Sequence, residues 1–237
     1  MALNIEYYFQ QTEKFPFPGF FDGVENAFEV LKKSDQLLKD ILITPNVTEM
    51  RGESHGSGAT YYGNYFIDEG TVIYNDVTII GPVYIGRNCE ISHGAVIRPY
   101  TIISDNCSVG HGSEVKRSVL LGGSKVASLA FCGDSVLGAS ARIGSGVITA
   151  NRKFNQTDVT VKDEDGERTD LGGSYFGCVL GDSARLGANS VTQPGTHIGP
   201  YTWIYPGTTV RGFIPRAKRV YNAENLVFEE NEIIDLS

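Results

Sequence analysis

Two pairs of chemically capable side chains recur at one spacing in the middle of the chain. His93 and His111 are eighteen residues apart, and so are Arg98 and Lys116. An imidazole can exchange protons near neutral pH, and guanidinium and ammonium groups bind anions. If residues eighteen apart lie side by side, a histidine column stands beside a cation column. Such a surface suits an anionic substrate that must lose a proton, although exposed corner positions also accept polar residues that have no function.

A repeat of six residues explains why residues eighteen apart should meet. From Ile67 to Val115 an aliphatic residue occupies every sixth position, and a small or β-branched residue follows each one four positions later. An α-helix needs a period of 3.6 and a half-exposed strand a period of 2, so neither accounts for the pattern. A period of six is typical of hexapeptide repeats, which build a three-sided parallel β-helix. Every third repeat returns to the same face, about 4.8 Å further along the axis.

The repeat divides the chain into three predicted parts. The β-helix is predicted over residues 65–215, with a polar loop inserted at 152–175. Residues 1–64 are predicted to hold an extended segment, an amphipathic helix near 23–42 and a glycine-rich linker. The apolar stripe of that helix should pack on the β-helix or on a partner chain. Residues 216–237 form a C-terminal tail to which the sequence assigns no structure.

Composition and charge narrow the classes of function. The chain has 237 residues and a formal net charge of −8, which argues against nucleic-acid binding. No apolar run approaches the roughly 20 residues of a membrane span. The first ten residues lack the basic and apolar regions of a secretory signal. We therefore expect a cytoplasmic protein that contacts neither nucleic acid nor membrane.

The four cysteines fit the repeat as core residues. Cys89, Cys107 and Cys178 fall at its small inward position, and Cys132 falls at its aliphatic position. Small apolar side chains are expected there, so the pattern predicts neither disulfides nor a metal site.

Five short motifs in the repeat region are more specific than the hexapeptide pattern itself. They are IRP at 97–99, SEVK at 113–116, GSK at 123–125, GDS at 133–135 and TAN at 149–151. The chain from Gly94 to about Pro215 resembles the acetyltransferase half of the bifunctional N-acetylglucosamine-1-phosphate uridyltransferase/glucosamine-1-phosphate acetyltransferases. It also resembles archaeal-type sugar-phosphate nucleotidyltransferases with the same domain.

The resemblance implies an all-β fold, a left-handed parallel β-helix, with an N-terminal helix similar to the family's connector between its two halves. The glycine-rich G-x-G-T-R stretch of the family's nucleotidyltransferase half is absent from this sequence. We therefore expect no nucleotidyltransferase activity.

The resemblance also implies roles for individual residues. The family's catalytic histidine falls at Ser128, and a substrate-binding tyrosine of the family is replaced by Phe131. A serine hydroxyl is a poor general base, and losing such a base typically costs about 10²–10⁴-fold in rate. His111, one coil away in the same column, is the candidate substitute base. Substrate contacts are implied for Arg98, Glu114, Lys116, Phe131, Arg142 and Asn151.

Coenzyme A or acetyl-CoA is the implied cofactor, since the family binds it in a groove along the β-helix between subunits of a homotrimer. Its pantetheine-contacting positions fall near Ser145, Ala188 and Tyr205, and the resemblance requires no metal. Two hypotheses follow: an acetyltransferase acting on a phosphorylated or nucleotide-linked amino sugar, and a catalytically degenerate binding or scaffolding homologue. A third, a hexapeptide-repeat carbonic anhydrase, would need a third histidine beside His93 and His111.

Overall fold

A parallel β-solenoid forms the body of the protein. The computed structural model describes residues 3–162 and 166–222. Within them, three parallel sheets form the faces of a prism, and each strand pairs with the equivalent strand one coil earlier and one coil later. The predicted fold class, an all-β parallel β-helix with an N-terminal helix, is confirmed.

Each face is a ladder of strands two or three residues long. The first face holds Thr48–Met50, Tyr65–Ile67, Val83–Ile85, Thr101–Ile103, Val119–Leu120, Val136–Leu137, Cys178–Leu180, Thr196–Ile198 and Phe213–Ile214. The second holds Glu53–Ser54, Val72–Ile73, Glu90–Ile91, Ser108–Val109, Lys125–Val126, Arg142–Ile143, Arg185–Leu186, Trp203–Ile204 and Arg219–Val220. The third holds Thr60–Tyr62, Thr78–Ile80, Val96–Ile97, Glu114–Lys116, Phe131–Gly133, Ile148–Thr149, Val191–Thr192 and Thr209–Val210.

The repeat's aliphatic residues fill the interior of the prism. Ile67, Ile85, Ile103 and their equivalents on the inner coils are buried in one continuous core, and Met50 and Ile214 of the end coils are partly buried against it. Each fully buried aliphatic side chain contributes about 1.5–3 kcal/mol relative to exposure. The four cysteines are buried and unbonded to one another, as the repeat predicts. Burial raises the pKa of the Cys178 thiol to about 11, which keeps it protonated and unreactive.

The solenoid extends beyond the repeat that is visible in the sequence. Its first coil begins at Thr48, within the segment expected to be a linker, and its last described strand ends at Val220. The repeat is hidden in the first coil because Met50, Ser54 and Tyr61 stand there in place of the isoleucines of the next coil. The remainder of the predicted tail, 223–237, lies outside the described residues.

The N-terminal helix is shorter than the sequence pattern suggests. It runs over Glu29–Leu38 and continues as one π-helical turn, Lys39–Ile43. Residues 25–27 lie outside the helix and pair with the N-terminus: Ile5 N–H donates to the Glu25 carbonyl at 2.8 Å, and Ala27 N–H donates to the Leu3 carbonyl at 2.9 Å.

The N-terminal segment covers the outward side of the first face. Val30, Leu31, Leu38 and Leu42 are buried in a second apolar cluster, together with aromatic residues of the first twenty positions. The face contributes outward-pointing side chains to the same cluster: Ile102, Val119, Val136 and Val179. The helix therefore packs on its own β-helix, one of the two partners expected for it.

The inserted loop carries a small antiparallel hairpin. Thr160–Lys162 pairs with Arg168–Asp170, and the loop is fixed to the body by the buried side chains of Val159 and Phe176. A solenoid accommodates such an insertion because each coil contacts only its neighbours.

Candidate ligand-binding site

Four of the predicted site residues share one column at the corner between the second and third faces. His93, His111, Ser128 and Ser145 occupy this corner on successive coils, and Ala188 follows them. At each step, the N–H that follows one column residue donates to the carbonyl of the column residue one coil earlier, at 2.8–3.1 Å. The structure thus brings the two histidines and both serines together. The chemical roles of these residues remain predictions.

Local hydrogen bonding fixes the tautomer of His111. Its Nδ1 lies 2.9 Å from the carbonyl oxygen of His93. A carbonyl can only accept, so Nδ1 is the protonated nitrogen of the neutral ring and Nε2 keeps its lone pair. The side chain is exposed at the corner. His111 therefore presents a proton acceptor to a ligand that lies along the column.

The predicted anion-binding cations stand beside this column on the third face. Arg98 Nη1 lies 2.5 Å from Glu114 Oε1, and Lys116 Nζ lies 3.0 Å from Asp134 Oδ2. The Asp134 carboxylate is almost fully buried, with 1 % of its side chain exposed. It also accepts a hydrogen bond from Asn151 Nδ2 at 2.6 Å. Arg98 thus pairs with Glu114, and Lys116 and Asn151 meet through Asp134, so carboxylates hold both cations in place.

Sequence reasoning missed two residues of this cluster. Asp134 belongs to the GDS motif, and its position one coil beyond Lys116 was a usable signal. Tyr175 gave none, because it belongs to the non-periodic insertion. Its ring centroid lies 4.6 Å from Lys116 Nζ and 5.0 Å from Arg152 Cζ. The insertion therefore places one aromatic ring beside the cations of this site. At these distances Lys116 and Arg152 make cation–π contacts with the Tyr175 ring.

Phe131 lies on the third face between Glu114 and Ile148, with which it pairs in register. Its half-buried ring forms part of the same surface as the Arg98–Glu114 pair. A phenyl ring provides apolar contact there and lacks the hydroxyl of a tyrosine.

A cavity of about 400 Å³ opens on the second face beside the lower part of the column. It is lined by the three predicted cofactor residues, Ser145, Ala188 and Tyr205, together with Arg142, Arg185 and Trp203. Arg142, a substrate contact implied by the resemblance, lies on the second face, in register with Lys125 and Arg185.

The second face carries a column of cations next to this cavity. Lys125, Arg142, Arg185, Trp203 and Arg219 occupy one outward position on successive coils. Among residues 3–162 and 166–222, none of these cations has an acidic partner within 4.0 Å. Arg219 stacks over the Trp203 ring, with its Cζ 5.6 Å from the centroid. The column offers several uncompensated positive charges and an aromatic ring to a phosphorylated ligand.

His197 lies on the first face, away from the site. It is fully buried between Tyr8 and Phe176, whose ring centroids are 5.8 and 5.9 Å from its own. Burial lowers the pKa of His197 to about 4, so the ring is neutral at physiological pH. This placement agrees with a structural role.

Two further features of the described residues concern metal binding and membrane insertion. Within the described residues, no group of three or more His, Cys, Asp or Glu side chains could hold a metal ion. Every helix in that part of the chain falls short of the length and apolar character that crossing a membrane requires.

The chain is similar in sequence to known sugar-phosphate nucleotidylyltransferase/acetyltransferases. Residues 79–165 match the model of the GMPPB C-terminal domain. A bifunctional sugar-1-phosphate nucleotidylyltransferase/acetyltransferase from Sulfurisphaera tokodaii is 30 % identical over 209 residues, covering 88 % of this chain and 51 % of that protein. The chain is related to these bifunctional proteins. The bifunctional protein GlmU of Methanococcus aeolicus is 28 % identical over 211 residues, covering 89 % of this chain and 49 % of that protein.

The predicted resemblance is therefore confirmed, and this chain spans about half the length of these curated relatives. Among solved structures, the acetyltransferase domain of PglB from Neisseria gonorrhoeae, in complex with acetyl coenzyme A, matches with a TM-score of 0.33 and 19 % identity. That match covers 60 % of this chain and 53 % of the neighbour.

Proposed function

We propose that this relative of the bifunctional proteins binds a phosphorylated or nucleotide-linked amino sugar together with acetyl-CoA, and transfers the acetyl group to the sugar's amine. The observation that carries the proposal is the arrangement around one corner of the prism. A column with an exposed proton acceptor, His111, lies between the Arg98 and Lys116 cluster on one side and the cationic cavity on the other.

The cavity on the second face suits coenzyme A. This molecule carries phosphates and an adenine ring, and the face supplies Arg142, Arg185 and Arg219 for the former and Trp203 for the latter. The pantetheine arm would follow the corner at Ser145, where main-chain groups provide its hydrogen bonds. The thioester would then approach the column residues above the cavity.

The cluster on the third face suits the anionic end of the sugar. Arg98 and Lys116 are partly exposed, with 41 % and 24 % of their side chains accessible, so a phosphate can reach both. Because each is already held by a carboxylate, binding requires little further ordering of these long side chains. Asn151 and Tyr175 border the same space.

Acetyl transfer needs a group that accepts a proton from the amine. The amine nitrogen forms a bond to the thioester carbonyl carbon as the carbon–sulfur bond breaks, and the amine proton passes to His111 Nε2 and then to the leaving thiolate. His111 is oriented for this by its bond to the His93 carbonyl. Ser128, one coil further along, lies within reach to hydrogen-bond the reacting groups.

The same surface favours a homotrimer, in which neighbouring subunits would complete the groove for coenzyme A. Val96, Phe131, Ile148 and Val191 provide four of the eight residues in one outward column of the third face, and Leu129 beside the corner column is 64 % exposed. A symmetric partner would cover these side chains. We also propose a cytoplasmic location, with neither nucleic acid nor membrane as a partner.

A second candidate function is a non-catalytic homologue that binds the same ligands. It is favoured by Ser128 and Phe131, which stand where the family resemblance implies a histidine and a tyrosine. In that case the anion cluster and the cavity would serve binding alone.

An acetyl-CoA turnover assay with glucosamine-1-phosphate separates the two candidates. We expect the wild-type protein to release free thiol, and His111→Ala to reduce the rate by about 10²-fold or more while leaving coenzyme A binding intact. Ser128→His serves as the comparison variant. If only Ser128→His turns over, the binding homologue is correct. If the wild-type protein binds neither ligand at millimolar concentration, both candidates are wrong.

A further inference from the structure

A continuous chain of charged side chains connects the N-terminal helix to the third-face cation site. Asp35 Oδ2 of the helix accepts hydrogen bonds from Arg117 Nε at 3.0 Å and from Arg117 Nη2 at 2.7 Å. Arg117 Nη1 lies 3.3 Å from Asp134 Oδ1, and the other oxygen of Asp134 holds Lys116 and Asn151. Residues 82 positions apart in the sequence thus meet through one guanidinium.

The central carboxylate of this series of charged side chains, Asp134, is shielded from water. Asp134 is almost fully buried, so its charge must be balanced by Lys116 and Arg117. If Arg117 were withdrawn, Lys116 would be left as the sole cation facing a buried carboxylate. Its ammonium group would then be drawn to Asp134 and would have less charge to offer a ligand. Because Arg117 balances part of the Asp134 charge, the ammonium group of Lys116 can also bind a ligand.

Arg117 needs its own restraint to do this. Its backbone adopts a left-handed conformation, with φ of 43°, at the corner that leads from the third face to the first. Burial disfavours its charge, but the hydrogen bond and charge of Asp35 and the charge of Asp134 outweigh that effect and raise the pKa of Arg117 above its usual value. Asp35 is in turn fixed by the helix, whose apolar side is packed on the first face.

We propose that Asp35 and Arg117 are positioning residues for the anion site, so that the N-terminal helix is a functional part of that site and not only a cover for the first face. The inference rests on the proposed function, since it assigns Lys116 to the anionic end of the sugar ligand. Neither residue needs to touch the ligand. They act by setting where Lys116 lies and how much of its charge is available.

Binding of glucosamine-1-phosphate, measured by isothermal titration calorimetry, tests the proposal. We expect Arg117→Gln and Asp35→Asn each to weaken binding by about tenfold, and Asp35→Glu to restore most of it. Coenzyme A affinity should stay unchanged in all three variants, because the cavity lies on another face. Asp40→Asn is the matched control: it removes the same charge from the same helix segment, at an exposed position bonded to Gln36 and not to Arg117.

The sign of the change distinguishes positioning from general electrostatics. If the helix acted only through its net charge, Asp35→Asn and Asp40→Asn would both tighten anion binding. Tighter or unchanged binding in Asp35→Asn, with a wild-type protein that binds, overturns the positioning role and leaves the proposed function standing. If the wild-type protein fails to bind any sugar phosphate, the proposed function falls and the ligand role of Lys116 falls with it.

A crystal structure of the Asp35→Asn variant gives a readout that is independent of any ligand. We expect Arg117 to leave Asp134 and Lys116 to approach it more closely. If the two cations remain at their present distances from Asp134, 3.0 and 3.3 Å, the positioning role is wrong whatever the binding data show.

Discussion

Replacing His197 by phenylalanine should make the stability of the protein less sensitive to acid. In the folded protein, burial lowers the pKa of His197 to about 4, against 6.5 for the unperturbed side chain. The unfolded chain therefore binds a proton between pH 6.5 and 4 that the folded chain excludes. Folding stability is fully present above pH 6.5 and is lost as the pH falls through this window. The same sign holds for any base whose folded-state pKa is depressed.

The size of the effect follows from the two pKa values. Each pH unit within the window costs about 1.4 kcal/mol, so the loss between pH 6.5 and 4 is on the order of 3 kcal/mol. A phenyl ring fits between Tyr8 and Phe176 and cannot be protonated. It forgoes the hydrogen bond from Nδ1 to the Gly195 carbonyl, worth about 1 kcal/mol, but removes Nε2, which is buried without a partner in the described part of the chain.

Urea unfolding followed by circular dichroism at several pH values between 7 and 4.5 measures this difference. We expect the free energy of unfolding of the wild-type protein to fall more steeply than that of His197→Phe. His55→Gln is the control, because His55 is exposed and should leave the wild-type slope unchanged. Parallel curves for wild type and His197→Phe would refute the argument that a buried neutral imidazole carries this dependence.

Two further predictions concern other parts of the structure. Asp182→Ala removes the buried carboxylate that accepts hydrogen bonds from the backbone N–H groups of Gln10 and Ala139, each at 2.7 Å. We expect the free energy of unfolding to fall by about 2–4 kcal/mol and the first twenty residues to be cleaved faster by a protease. Cleavage at the wild-type rate would contradict this prediction. Arg185→Ala removes one cation of the second-face column and should weaken coenzyme A binding by about tenfold in calorimetry, with no change in glucosamine-1-phosphate affinity. Equal losses for both ligands would show that the two sites are not separate.

The repeat made much of the fold predictable because hexapeptide spacing determines which residues share a column. His93, His111 and Ser128 could be assigned to one corner by counting, once a single turn shortened by one residue was allowed for between His111 and Ser128. The first coil was not recognised because Ser54 and Tyr61 occupy positions that hold isoleucine in the next coil. The first residue of the N-terminal helix could not be predicted from the local sequence either, because the residues before the helix pair with residues 3–5.

The site was predictable only where it follows the repeat. Lys116 and Asn151 belong to periodic coils, and the structure brings them together through Asp134. Arg142, which the resemblance implies as a substrate contact, lies on the second face among the residues that line the cavity. The contact of Arg117 with Asp35 joins a periodic corner to a helix, so neither spacing nor composition could reveal it.

The covering of the first face by the N-terminal segment also limits how copies of the protein can assemble. A prism with three bare, flat faces could add neighbours face to face without end, as sheets do in fibres. Within the described part of the chain, Leu31, Leu38 and their neighbours pack on one face, which leaves the other two faces for a second copy. Two faces that meet at a corner allow a closed ring when the rotation from one copy to the next brings the last copy back to the first. The same segment that restrains Arg117 thereby also keeps a second copy off the first face.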